Sequence, residues 1–305
     1  MRNIRRRTIA GAAIAAFALI AAACGSGGDG GTIDGPTITI GSANFSENAL
    51  VAELYAQALE SEGYQVERKL NVGNREIYAP ALESGELDLV PEYIGSALTY
   101  LGGTSSPDSD ETYAALKAAW EAKGINVLDY APAQDKNGFV VTRATAESLG
   151  VAKVSDLAAY NGTLVLGGPP ECPERAFCLK GLEGVYGLTF QEFRPLDAGG
   201  PITVAALEGD EIQVGLMFTS AGTILAKDFV LLDDDKGLQP AENLAPAVRS
   251  EITEAYGDKF AETLKKVSDK LTTAELISLN KLVEIDGQDP ETVAADWLKA
   301  IGVTG

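Results

Sequence analysis

From Thr37 onward, short runs with apolar residues at every second position alternate with stretches whose apolar residues recur at helical spacing. A chain written this way is confined to α/β layers, because each element has one apolar side to hide and the two periods cannot be exchanged. Strands are predicted over 37–41, 65–70, 87–90 and 125–128, then over 138–142, 163–166, 190–193 and 212–218. Between the first two, Asn44 followed by Glu47 reads as a helix start. Leu50, Val51, Leu54, Tyr55, Ala58 and Leu59 then mark one apolar face, until Gly63 stops the helix. Helices are also predicted over 76–83 and 111–123. The tail from 251 to 301 reads as mostly helical, with Thr272 and Asp289 as start signals. Trp120 and Trp297 fall on helical apolar faces and are expected in the core.

The ordered stretch exceeds the usual size of a single core, so two lobes are expected. Composition breaks at 131–138 and near 218–228 place the crossings. The first lobe would comprise 36–136 plus 226–305 and the second 137–225, with a cleft between them and a hinge of two crossings.

The first 35 residues stand apart. Arg2, Arg5, Arg6 and Arg7 precede an uncharged apolar stretch from 8 to 23, which is the pattern of an export signal and too short for a spanning helix. Ala21-Ala22-Ala23-Cys24 resembles the lipobox of bacterial lipoproteins, in which the cysteine is acylated and becomes the first mature residue. That resemblance makes 1–23 a signal peptide and Cys24 the anchor to the outer face of the cell membrane. The Gly- and Ser-rich 24–35 would be a flexible tether.

Charge narrows the chemistry. Lys and Arg number 24 against 44 Asp and Glu, a net charge of −20, which argues against any nucleic-acid partner. With no histidine anywhere, Ser-His-Asp, Cys-His and His-zinc centres are excluded. A hydrolase would have to work through facing carboxylates, and the spacing of Glu47, Asp88 and Glu92 marks no such pair. Asp233, Asp234 and Asp235 read as a solvated turn rather than a metal site. No cofactor is called for.

Several segments together resemble the substrate-binding proteins of ABC importers for glycine betaine, choline, carnitine and related osmoprotectants. Gly41-Ser42-Ala43-Asn44-Phe45-Ser46-Glu47 is similar to that family's opening Gly-Ser-Lys-Asn-Phe-Thr-Glu. The stretch from Gly85 through Pro91-Glu92-Tyr93 to Gly95 is similar to Gly-Asp-Ile-Asp-Ile-Tyr-Pro-Glu-Tyr-Thr-Gly. The segment from Glu171 to Leu182, which carries Arg175, and Leu231-Leu232-Asp233-Asp234-Asp235-Lys236 also resemble family segments. The resemblance implies a two-lobed clamshell of the type II periplasmic-binding-protein kind. Such a protein is a monomer without catalysis that closes on a quaternary-ammonium solute and docks on permease subunits.

A trimethylammonium group offers no N–H donor, so aromatic faces rather than hydrogen bonds must hold it. By family position the cage falls to Tyr93, Phe139 and Phe218, with Tyr78 and Tyr130 nearby. The anionic end of a zwitterion would be met by Arg175 and by the turn from Asn44 through Ser46. Tyr93, Phe139 and Phe218 each have packing as the alternative reading, Arg175 a surface ion pair with Glu171 or Glu174, and Asn44 a helix cap. Ala43 replaces the family's Lys, which removes one contact to a carboxylate and leaves betaine, choline or another small amine open. Cys172 and Cys178 lie within the Arg175 segment, and in an exported chain such a pair is expected as a disulfide that stiffens this loop.

Overall fold

The computed structural model describes residues 32–305 other than 171. The predicted signal peptide, Cys24 and most of the tether therefore lie outside the described residues. The strands in chain order are Ile38–Ala43 (β1), Val66–Gly73 (β2), Leu89–Tyr93 (β3), Ile125–Val127 (β4), Asn137–Thr142 (β5), Val165–Gly168 (β6), Glu192–Pro195 (β7), Val214–Phe218 (β8), Phe229–Leu231 (β9) and Leu244–Arg249 (β10). They form two five-stranded mixed sheets, ordered β2-β1-β3-β10-β4 and β7-β6-β8-β5-β9, one in each lobe.

The first sheet is parallel where β1 pairs with β2 and β3, and antiparallel where β10 enters between β3 and β4. No strand was predicted over Leu244–Arg249, because Pro246 sits in the middle of a short, alanine-rich run and proline usually demotes a central strand. The register removes that objection. Pro246 lies directly opposite Pro91, and the Pro246 carbonyl faces away, accepting from the Leu128 N–H at 2.9 Å. The two prolines thus meet at a position where neither owes the other an N–H.

Ser46–Ser61 forms the first helix (α1). The sequence suggested one buried face, whereas the helix is buried on nearly every side, clamped between the first sheet and the C-terminal helices. Leu50, Leu54, Tyr55 and Leu59 share one core with Phe260, Leu264, Val267, Trp297 and Leu298. Its N-cap is the extended Phe45, not Asn44, and no side chain caps it. Asn48 instead joins the strand ends, accepting from the Ala43 N–H at 2.7 Å and donating to the Pro91 carbonyl at 3.0 Å. Both tryptophans are core residues, with Trp120 fully buried and Trp297 donating to Glu275 at 2.8 Å.

The chain crosses between sheets at 132–136 and returns through 232–243. The expected return at 226 is too early, since β9 pairs with β5 (Val140 opposite Leu231) and so belongs to the second sheet. The crossings are stitched to each other: the Asp135 N–H donates to the Glu242 carbonyl at 3.1 Å and the Leu244 N–H to that of Ala133 at 3.1 Å. Among the described residues, no helix is long and apolar enough to cross a membrane.

Candidate functional site

A cavity of about 860 Å³ opens where the ends of β1 and β3, both crossings and the ends of β5 and β8 converge. Six aromatic residues line it: Phe45, Tyr78, Tyr93 and Tyr100 from the first lobe, Phe177 and Phe218 from the second. Tyr93 closes β3 and is 7% exposed, with its ring stacked on Phe45 at 6.1 Å between centroids. Its hydroxyl donates to Glu47 Oε1 at 2.5 Å, and Asn280 Nδ2 donates to the other oxygen at 2.5 Å. Burial, and then the Glu47 charge, push the Tyr93 hydroxyl well above its ordinary range, so it stays a donor. Tyr78, on the second helix (α2, Arg75–Ser84), is also buried.

Of the residues expected here, Tyr93, Tyr78, Phe218, Asn44 and Ser46 line the cavity. Phe139 does not. It lies two residues further along β5 than Asn137, which does reach the cavity, and is packed into the second lobe's core with Val141 and Leu166. Tyr130 is also elsewhere, donating to Asp110 at 2.5 Å. Arg175 is exposed and lies off this cavity, making no ion pair among the described residues; Glu174 approaches Lys180 at 3.9 Å. The Cys172–Cys178 disulfide is formed, with Cα atoms 5.2 Å apart. The residue this loop presents to the cavity is Phe177, whose carbonyl accepts from Gln239 Nε2 at 2.9 Å.

Sequence reasoning passed over the charges around the aromatic walls. Arg75 lines the cavity but is bound by Glu92 through two hydrogen bonds of 2.9 and 3.1 Å. Burial acts against the guanidinium charge, and Glu92 more than offsets it. Glu242, on the return crossing, accepts from the N–H and hydroxyl of Ser96 at 3.0 and 2.7 Å. Glu284 accepts from the Ser46 hydroxyl at 2.6 Å. Burial holds the carboxyls of Glu47, Asp135 and Glu242 above the ordinary carboxylate range. Glu284 adds to this at Glu47, and Glu47 and Glu242 add to it at Asp135. Lys136 follows Asp135 on the first crossing, and burial lowers its ammonium against the pull of Asp234 and Glu242. The three acids considered for hydrolysis are engaged separately: Asp88 with Arg249, Glu92 with Arg75 and Glu47 with Tyr93. An apolar, ring-lined space with surplus negative charge suits capture of a cation.

Residues 36–300 match the family described as the substrate binding domain of ABC-type glycine betaine transport systems. A glycine-betaine-binding protein of Pseudomonas aeruginosa is 32% identical over 283 residues, covering 88% of this chain and 89% of that one. The glycine betaine-binding protein YehZ of Escherichia coli is 30% identical over 286 residues, covering 88% and 91%. A solved structure described as a glycine betaine/carnitine/choline ABC transporter superposes with a TM-score of 0.82 at 25% identity, covering 87% of this chain and 99% of that one.

Proposed function

The chain belongs to the substrate-binding domain family of ABC-type glycine betaine transport systems, and from that premise we propose that it captures a quaternary-ammonium osmoprotectant outside the membrane and delivers it to permease subunits. It is a solute-binding protein of an ABC transporter, with two lobes around a cleft. Tyr93 carries the ligand reading: a deeply set ring, held by Glu47 and backed by Phe45, at the floor of a cavity walled by five further aromatic residues. Each ring face around an ammonium contributes roughly 0.5 to 2 kcal/mol.

In this reading Tyr78, Tyr93 and Phe218 hold the cation while Asn44 and Ser46 close the floor. Arg175 acts only if lobe closure brings its loop inward. The protein works as a monomer, exported by its signal peptide and held to the membrane by lipid on Cys24. The Cys172–Cys178 disulfide supports an oxidising, extracytoplasmic setting.

A thermal-shift panel of glycine betaine, choline, carnitine and common amino acids tests the proposal. A true ligand at 100 times its Kd stabilises by about 2.7 kcal/mol, a shift of several degrees. A panel in which only molecules without an alkylated ammonium raise the melting temperature overturns it.

A further inference from the structure

The charged groups facing the cleft are unbalanced. Glu76, Asp135, Glu242 and Glu284 line the cavity, and among the described residues none is in an ion pair. Opposing them are Arg75, already bound bidentately by Glu92, and Lys136, flanked electrostatically by Asp234 and Glu242. Ala43 lines the cavity with a methyl group, and Arg175 lies elsewhere. The Ser46 hydroxyl, which could have served a carboxylate, already donates to Glu284.

Asp135 and Glu242 stand on the two crossings, joined by the bond from the Asp135 N–H to the Glu242 carbonyl. Their placement in the cleft is therefore set by the hinge pair rather than by either sheet. An independent observation points the same way. A second chamber of about 680 Å³ shares Phe45, Asp135, Phe218 and Glu284 with the first, and it is lined by Asn280. Both N–H groups of the buried Asn280 amide are used, on Glu47 and the Ser220 carbonyl, while its Oδ1 accepts from nothing among the described residues. The site thus offers negative charge in excess: four carboxyls outside any ion pair among the described residues against one such cation, the half-buried Lys136.

We propose that the hinge-borne carboxylates Asp135 and Glu242 make this cleft select quaternary ammonium solutes of net positive charge over zwitterions carrying the same head group. This rests on the quaternary-ammonium reading above and adds the sign of the rest of the ligand. A zwitterion brings its own carboxylate into a pocket where Asp135, Glu242 and Glu284 repel it and only Lys136, outnumbered by those acids, can pair it, whereas a lone cation gains from the surplus negative charge.

Isothermal titration calorimetry with choline, glycine betaine and the methyl ester of betaine decides the matter, because the ester keeps the head group and removes only the anion. Choline and the ester are expected to bind at least about tenfold more tightly than betaine, and D135N to weaken those two by about tenfold while moving betaine less than about threefold. Asn is nearly isosteric with Asp, so D135N should keep the wild-type unfolding midpoint; E242Q serves as a second variant. Betaine binding as tightly as its ester, or D135N weakening all three ligands alike, overturns the proposal while leaving the quaternary-ammonium reading in place. Binding of none of the three removes both.

Discussion

The two walls of the cleft are built on different terms. On the first-lobe side, Tyr78 and Tyr93 are 3% and 7% exposed, Tyr93 is tied to Glu47, and Arg75 is locked on a fully buried Glu92. On the second-lobe side, Phe177 and Phe218 are each 45% exposed, and a phenyl ring has no polar atom with which to be tied. The first wall carries two fixed rings, with the exposed Phe45 and Tyr100 (43% and 38%) beside them, whereas the second wall offers half-exposed rings alone. This is the asymmetry expected of a receptor in which one lobe holds the solute and the other closes over it, with ligand contacts biasing the closed state.

The comparison breaks first at Tyr93. Tyr93→Ala removes a cage face and strips Glu47 of one of its donors, so both affinity and stability should fall: Kd should rise by about 30-fold or more, and unfolding free energy should drop by about 3 kcal/mol or more. Tyr93→Phe keeps the face and removes only the hydroxyl, so calorimetry should find affinity within a few-fold while chemical denaturation still records a loss. If the two variants bind equally poorly, the hydroxyl rather than the ring holds the ligand.

Phe218→Ala and Phe177→Ala test the other wall. Being half exposed, both should change stability by less than about 0.5 kcal/mol and weaken trimethylammonium binding by about tenfold each. A large loss of stability would show that these rings are packing residues and would erase the contrast between the walls. Arg175→Ala should leave Kd nearly unchanged unless the loop moves inward on closure.

How far this contrast was legible in the sequence depends on the residue. Tyr93 and Tyr78 are reached through the family resemblance, while the α/β alternation alone recovers eight of the ten strands. β10 was hidden because the pairing of Pro246 with Pro91 is a long-range register that no local propensity reports. Phe139 and Phe218 lie on the paired strands β5 and β8, opposite Leu216 and Asn137 respectively, yet one is core and one is wall, a difference set by depth along a strand. Asp135 and Glu242 are 107 residues apart in sequence and adjacent only because the hinge strands bond to each other. The segment holding Arg175 drew attention to its charge, whereas the apolar Phe177 beside Cys178 is what reaches the cavity.

Replacing Cys172 and Cys178 by Ser sharpens the second wall. Closing so small a ring contributes about 2 kcal/mol in the chain-entropy account, so the variant should melt several degrees lower. If the bridge serves mainly to hold Phe177, the variant should also lose affinity several-fold, and Phe177→Ala in that background should cost less than in the wild type. Additive losses would mean that the bridge stabilises the lobe without positioning the ring. Alkylation and mass of the non-reduced protein, with neither Cys172 nor Cys178 labelled, confirms the starting state.

The smallest effect, and the one that joins both walls, is the response to pH. Burial raises Glu47 and Glu242 above an ordinary value of 4.5 and Asp135 above 3.8, so the folded protein takes up these protons more readily than the unfolded chain does. For the ligand-free protein this contribution to stability is fully present below those ordinary values and is lost as pH rises through the folded ones. Groups shifted the other way, such as Glu62 and Asp197, oppose it only as pH falls through and below their ordinary values of 4.5 and 3.8. Binding of a cation has the reverse sign, because it needs the carboxylates charged. Thermal unfolding with and without choline, from about pH 7.5 down to about pH 5, should therefore show the two melting temperatures converging as pH falls. A gap that stays constant across that range would mean that Glu47, Asp135 and Glu242 carry the same charge whether or not the cleft is filled, and that the rings alone hold the solute.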